Sequence, residues 1–224
     1  MLELDTIATG LLVLAAGGAV QCGVPKAPHI SVTPSSAPIQ YEFSLSAQEL
    51  SRFQTGTVSP YAPGADTTTG GLRHDQPAVK TEVRWGLMKY DDRQIACLWY
   101  EAINVKIDLS PKIYIAKEHA NSQVCRQAII AHEIKHVDVD RAVINNYAMS
   151  IGTAVKQAVD GIGAMGPYNY HELENVQKEL VGHIESAVDS RKFLLVQEMS
   201  RRQGQVDTLE EYERVSKMCE ESKR

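Results

Sequence analysis

Residues 124–150 read VCRQAIIAHEIKHVDVDRAVINNYAMS. Wound at ~3.6 residues per turn with His132 as origin, Cys125, Ile129, His136, Val139, Val143 and Tyr147 fall within about 60° of it. Gln127, Asp138, Arg141 and Asn145 fall on the other side. One apolar stripe and one polar face predict an amphipathic helix. Asn121 and Ser122 are its two candidate N-caps, and the pattern runs to about Ser150, with a continuation to Asp160 left open. Two histidines one turn apart lie on the inward stripe.

Outward from this helix the pattern changes. Upstream, Val79, Thr81, Val83 and Trp85 alternate with Lys80, Glu82 and Arg84, and a second run covers Gln94 to Tyr100 after a turn at Asp91-Asp92. Val105–Leu109 and Ile113–Ile115 are further strands, split by Ser110-Pro111. Tyr41–Leu45 alternates like a half-buried strand, and Ser46 to Glu49 has the form of a capping box. Residues 55–78, rich in Gly, Pro and Thr, are expected to form a loop. Downstream, Gly161, Gly163, Gly166 and Pro167 interrupt the helical pattern; a second long helix is expected over about His171–Arg202, and Asp207-Thr208 to Glu211 caps a last one. The expected class is α+β: a small sheet over about residues 79–117 packed on the long central helix, then a helical C-terminal region.

The N-terminal segment, residues 1–21, is apolar and small from Ile7 to Val20 and is read as an export signal, too short to span a bilayer. Residues 22–40 carry Pro25, Pro28, Pro34 and Pro38 and are read as a linker, leaving 41–224 as one catalytic domain. Export implies a periplasmic, secreted or lipoprotein location, and Cys22 is a candidate for lipid attachment to a membrane. Cys22, Cys97, Cys125 and Cys219 contain no CxxC pair, so a cysteine-held zinc is not indicated. Disulfides suit an exported chain, with Cys97–Cys125 and Cys22–Cys219 among the pairings open to it. A net charge of −5 and no run of Lys or Arg longer than a pair exclude a polyanion footprint, so nucleic acid is not an expected partner.

His132-Glu133-Ile134-Lys135-His136 has the HExxH form. Residues i and i+4 present two imidazoles to one ion, and Glu133, ~100° round the helix, flanks it as a proton acceptor. Zn²⁺ suits such a site because it takes nitrogen ligands and keeps a position open for water. Three buried polar groups on an apolar stripe need partners, and one ion supplies them together. The third ligand is not fixed by the motif. Val139 and Ala142 stand where the longer HExxHxxGxxH pattern needs Gly and His, and Asp140, one turn on, is an alternative third ligand.

The run AIIAHEIKHV, followed by Glu185-Ser-Ala-Val-Asp189 on a later helix, resembles the gluzincin branch of HExxH zinc metallopeptidases over about Cys125–Leu194. It is also similar to uncharacterised exported bacterial HExxH proteins with a Trp-containing strand before the motif, here Cys97 to Tyr100. The resemblance implies Glu185 as third metal ligand, Asp189 as the partner of a zinc-bound histidine, and a protein or peptide substrate. Two straight helices joined near residue 165 would set Glu185 opposite residue 146, ~15 Å off, unless the first ends near Gly152; Glu198 then competes as ligand. Tyr168, Tyr170, His171, His183 and Arg191 have the chemistry of an oxyanion donor, and Ile113–Ile115 could pair with an extended substrate. Beside a metallopeptidase, the sequence leaves open a cell-wall peptide or amide hydrolase, and a non-enzymatic envelope protein with a vestigial or structural metal site.

Overall fold

The computed structural model describes residues 20–23, 26–53, 60 and 68–221. The elements in order are β1 (His29–Ser36), β2 (Gln40–Glu42), α1 (Ala47–Leu50), β3 (Gly71–His74), β4 (Ala78–Tyr90), β5 (Ile95–Leu109), β6 (Lys112–Ile115), α2 (Lys117–Ala120), α3 (Gln123–Val159), β7 (Met165–Asn169), α4 (Leu173–Val206) and α5 (Leu209–Glu221). The class is α+β, as the sequence predicts. Most of the expected signal segment lies outside the described residues.

The larger sheet is built on β5. β4 pairs with it antiparallel across the Asp91-Asp92 turn, with Val83 opposite Ile103 and Val79 opposite Ile107. On its other side β7 pairs antiparallel with the first part and β1 parallel with the rest. The smaller sheet has the order β2-β6-β3. The capping box at Ser46 is present: its hydroxyl accepts from the Glu49 backbone, and the Glu49 carboxylate accepts from Ser46 N–H.

α3 joins the two sheets. It starts at Ser122, whose hydroxyl accepts from Cys125 N–H, and its 37 residues make it ~55 Å long at ~1.5 Å per residue. Its later half buries Val143, Ile144, Ile151, Val155 and Val159 against Ile103, Val105 and Ile107 of β5 and Ile184, Val188 and Leu195 of α4. Its first half buries Cys125, Ile129 and Val137 with Ile113 and Ile115 of β6, and Val215 and Cys219 of α5 pack on this second cluster. Each such Val, Ile or Leu contributes ~1.5–3 kcal/mol of burial.

Four expectations are corrected. The stretch read as a linker contains β1: Ile30 and Val32 face the core, and Pro34 is tolerated because β1 is a border strand, where a missing N–H breaks no ladder. The stretch read as a loop contains β3, a four-residue strand too short to show alternation among Gly and Thr; residues 54–59 and 61–67 lie outside the described ones. Gly152 does not end α3: the helix runs on to Val159, and Ile151 and Val155 on either side of Gly152 are buried in the core that Ile30 and Val32 of β1 pack against. The cysteines pair as Cys22–Cys97 and Cys125–Cys219, so β5 is tied to the N-terminal segment and α3 to α5. The Cys22 sulfur is thereby committed to Cys97 rather than free to carry a lipid. No helix among the described residues is long and apolar enough to cross a membrane.

Candidate metal centre

His132 and His136 lie on the face of α3 that α4 and α5 cover, at 8 % and 5 % exposure. Their rings meet edge to face, with Nε2 atoms 3.3 Å apart. Asp207, in the two-residue elbow between α4 and α5, brings Oδ1 to 3.1 Å from His136 Nε2 and 3.3 Å from His132 Nε2. His132, His136 and Asp207 thus form a buried group that can hold a metal ion. In a tetrahedral zinc site with bonds of ~2.0–2.1 Å, neighbouring donor atoms stand ~3.3–3.4 Å apart. The observed triangle has nearly that edge. Among the described residues Asp207 Oδ2, a buried atom, meets no hydrogen-bond donor, and a cation would satisfy it.

The surroundings hold this triangle in place. Gln203 spans from His136 to Asp140: its Oε1 contacts His136 Nδ1, and its Nε2 donates to Asp140 Oδ1 at 2.6 Å and to the His136 carbonyl at 3.0 Å. Arg73 of β3 reaches the other Asp140 oxygen at 2.6 Å. Glu211 Oε1 stands 3.4 Å from His132 Nδ1, too poorly aligned for a hydrogen bond, and is engaged by Lys135 at 2.7 Å and Arg214 at 2.7 Å. The Tyr212 ring packs edge-on against His132, 5.6 Å between centroids.

The electrostatics follow from burial and charge. Burial opposes the Asp207 carboxylate, yet hydrogen bonds and charge from His132 and His136 outweigh it and hold its pKa far below the usual range. Burial also works against a charged His136, but Asp207, Glu133 and Gln203 together raise its pKa. Glu133, 5 % exposed, has its pKa raised by burial, with His136 and His132 acting against the rise. Arg214 of α5 and Lys135 of α3 keep Glu211 ionised, pulling its pKa down to about 2 against some burial.

The residues predicted from sequence are only partly brought together. His132, Glu133 and His136 share one buried face. Glu185 and Asp189 do not join them; both are exposed on α4. The helices run antiparallel, with His136 facing Gln203 and His183 Nε2 3.2 Å from the Ala158 carbonyl. Glu185 therefore lies level with about residue 155, some 28 Å along α3 from His136 at ~1.5 Å per residue. Glu198 is engaged by Arg201 and Arg202, which hold its pKa at about 2. Asp140 is buried close by, but its oxygens face Arg73 and Gln203; burial raises its pKa while these two partners act against the rise. Of the expected oxyanion donors, Tyr170 bonds to Asp91 and His183 lies near Ala158, both toward the far end of the helical pair. β6, expected to pair with substrate, is the central strand of its sheet; the border strand beside Glu133 is β3.

Asp207 was missed as a metal donor because it stands at a helix start and reads as a cap. The cap is in fact Thr208, whose hydroxyl accepts from Glu211 N–H at 3.2 Å, leaving the Asp207 carboxylate for the histidines. The available signal was the helix pairing itself: a hairpin centred near residue 170 sets 203–207 opposite the motif.

No family model, curated protein or solved structure matches the chain.

Proposed function

We propose that this chain is a zinc-dependent hydrolase, with His132, His136 and Asp207 as ligands, acting on peptide bonds. The observation that carries it is the triangle of two Nε2 atoms and one carboxylate oxygen, 3.1–3.3 Å on a side. Three protein donors leave a position open, the pattern of catalytic rather than structural zinc, which takes four. Bound there, the ion supplies a Lewis acid that acidifies water and polarises a carbonyl.

The other steps belong to the chain. Glu133 follows His132 directly, so the helix holds its carboxylate beside the metal group without making it a member. Its raised pKa suits a group that takes a proton from the attacking water and passes it to the departing amine. An amide N–H of Arg73 bonds this carboxylate and fixes its direction. β3 therefore positions the base from one side while α3 does so from the other. Two disulfides suit an oxidising, exported compartment, which is where we place the enzyme.

A second reading is a structural metal site in a non-enzymatic envelope protein, favoured by the near-complete burial of His132, His136 and Asp207. Zinc content and hydrolysis of an unstructured protein, measured together, separate the two. The hydrolase reading expects one zinc per chain, lost in His132→Ala and Asp207→Ala. It also expects activity reduced ~10²–10⁴-fold in Glu133→Gln with zinc retained. Stoichiometric zinc with no hydrolysis of peptide or cell-wall substrates selects the structural site, and absence of zinc removes both.

A further inference from the structure

Gln203 is 5 % exposed, and both ends of its amide are engaged. Its nitrogen faces the His136 carbonyl, which can only accept, and Asp140 Oδ1, which Arg73 holds as a carboxylate through its second oxygen. Turning the amide over would set oxygen against oxygen at both contacts. The orientation is therefore fixed, and it is Oε1 that meets His136 Nδ1. An amide oxygen only accepts, so Nδ1 must carry the proton.

This matters because another group competes for that proton. Asp207 Oδ1, 3.1 Å from His136 Nε2, favours N–H at Nε2, the nitrogen that a metal needs bare. We propose that Gln203 is a positioning residue that fixes His136 in the Nδ1–H tautomer, leaving the Nε2 lone pair for the ion, with Asp140 and Arg73 fixing Gln203 in turn. The inference rests on the metal reading above and adds an asymmetry to it. His136 is preset by a chain of three residues, Gln203, Asp140 and Arg73, whereas His132 Nδ1 has no aligned partner among the described residues and is set by the ion itself. An amide serves where a carboxylate would not, since a carboxylate at 203 would meet Asp140 across 2.6 Å with no proton between them.

The test compares zinc affinity, by chelator competition, in wild type and Gln203→Leu, with folding checked by circular dichroism. The expected loss is 10–100-fold, the usual cost of removing a hydrogen-bond partner from a ligating histidine. In zinc-loaded protein labelled with ¹⁵N-histidine, wild type shows a slowly exchanging His136 Nδ1 proton that Gln203→Leu loses. Gln203→Glu combined with Asp140→Asn restores an acceptor at Nδ1 without opposing two carboxylates, and recovers both the proton signal and most of the affinity. A wild type that binds zinc but lacks the protected proton, an unchanged affinity in Gln203→Leu, or a loss that the double variant does not recover overturns this inference alone. A wild type that takes up no zinc overturns the metal reading and this inference with it.

Discussion

A methyl group at Gly71 would stand 2.2 Å from Ile129 Cγ2 and 2.9 Å from Glu133 Oε1. Ile129 is buried and cannot yield, so Gly71→Ala must move either β3 or the base. We expect ~1–3 kcal/mol of destabilisation, as for other overpacked cores. We also expect kcat to fall ~10²-fold, the effect of displacing a catalytic group by about 1 Å. Zinc stays at one per chain, since no ligand touches Gly71. Thermal unfolding, metal analysis and turnover measured on one preparation check all three, and unchanged turnover would show that Glu133 is not held from this side. At this scale the motif was legible because one helix carries His132, Glu133 and His136, and their spacing is local. Asp207 was not, because its role depends on where a different helix ends.

Among the elements, the same contrast holds. β4 and β5 were legible from their Val and Ile alternation, although β5 is one strand of 15 residues where the sequence suggested two. α3 was legible from its apolar stripe and its cap at Ser122, but its continuation past Gly152 depends on β1 packing there, a contact invisible before β1 is recognised. The disulfides give the sharpest test of how elements make the site. Cys22–Cys97 spans 75 residues and Cys125–Cys219 spans 94; a chain-entropy treatment assigns each about 4–5 kcal/mol. Replacing either pair by serine should therefore lower the melting temperature by similar amounts. Only the Cys125–Cys219 variant should also weaken zinc binding, because that bridge holds α5, with Glu211 and Tyr212, against His132. Equal zinc affinities in the two variants would mean that α5 docks without its bridge.

Across the whole molecule the centre couples folding to pH, with opposite sign in the two metal states. Without zinc, His136 has a folded pKa above its ordinary 6.5. Its contribution is then fully present below that value and is lost as pH rises through the raised folded pKa. Asp207 has a folded pKa below its ordinary 3.8, so its contribution is present above that value and is lost as pH falls through the lowered one. Metal-free protein should accordingly be most stable between these limits and lose stability on the alkaline side of the histidine range. Zinc needs His136 neutral at Nε2, so its stabilisation, ~4 kcal/mol at a thousandfold excess over Kd, grows as pH rises through the same range. Melting curves with and without chelator should converge toward pH ~5 and diverge above ~7. Parallel curves across that interval would disconnect the histidines from the metal.

Asp207 follows His136 by 71 residues, with all of α4 in between. A ribosome making this chain has released the entire five-residue motif long before the acid that completes the triangle appears. Nascent polypeptide therefore carries the recognisable signature before its third donor exists, and once the fold is made the Cys125–Cys219 bridge keeps the segment bearing Asp207 tethered to α3 even if α4 is nicked. The capacity to hold an ion thus arrives only late in synthesis, set by the distance along the chain between the histidines and their acid.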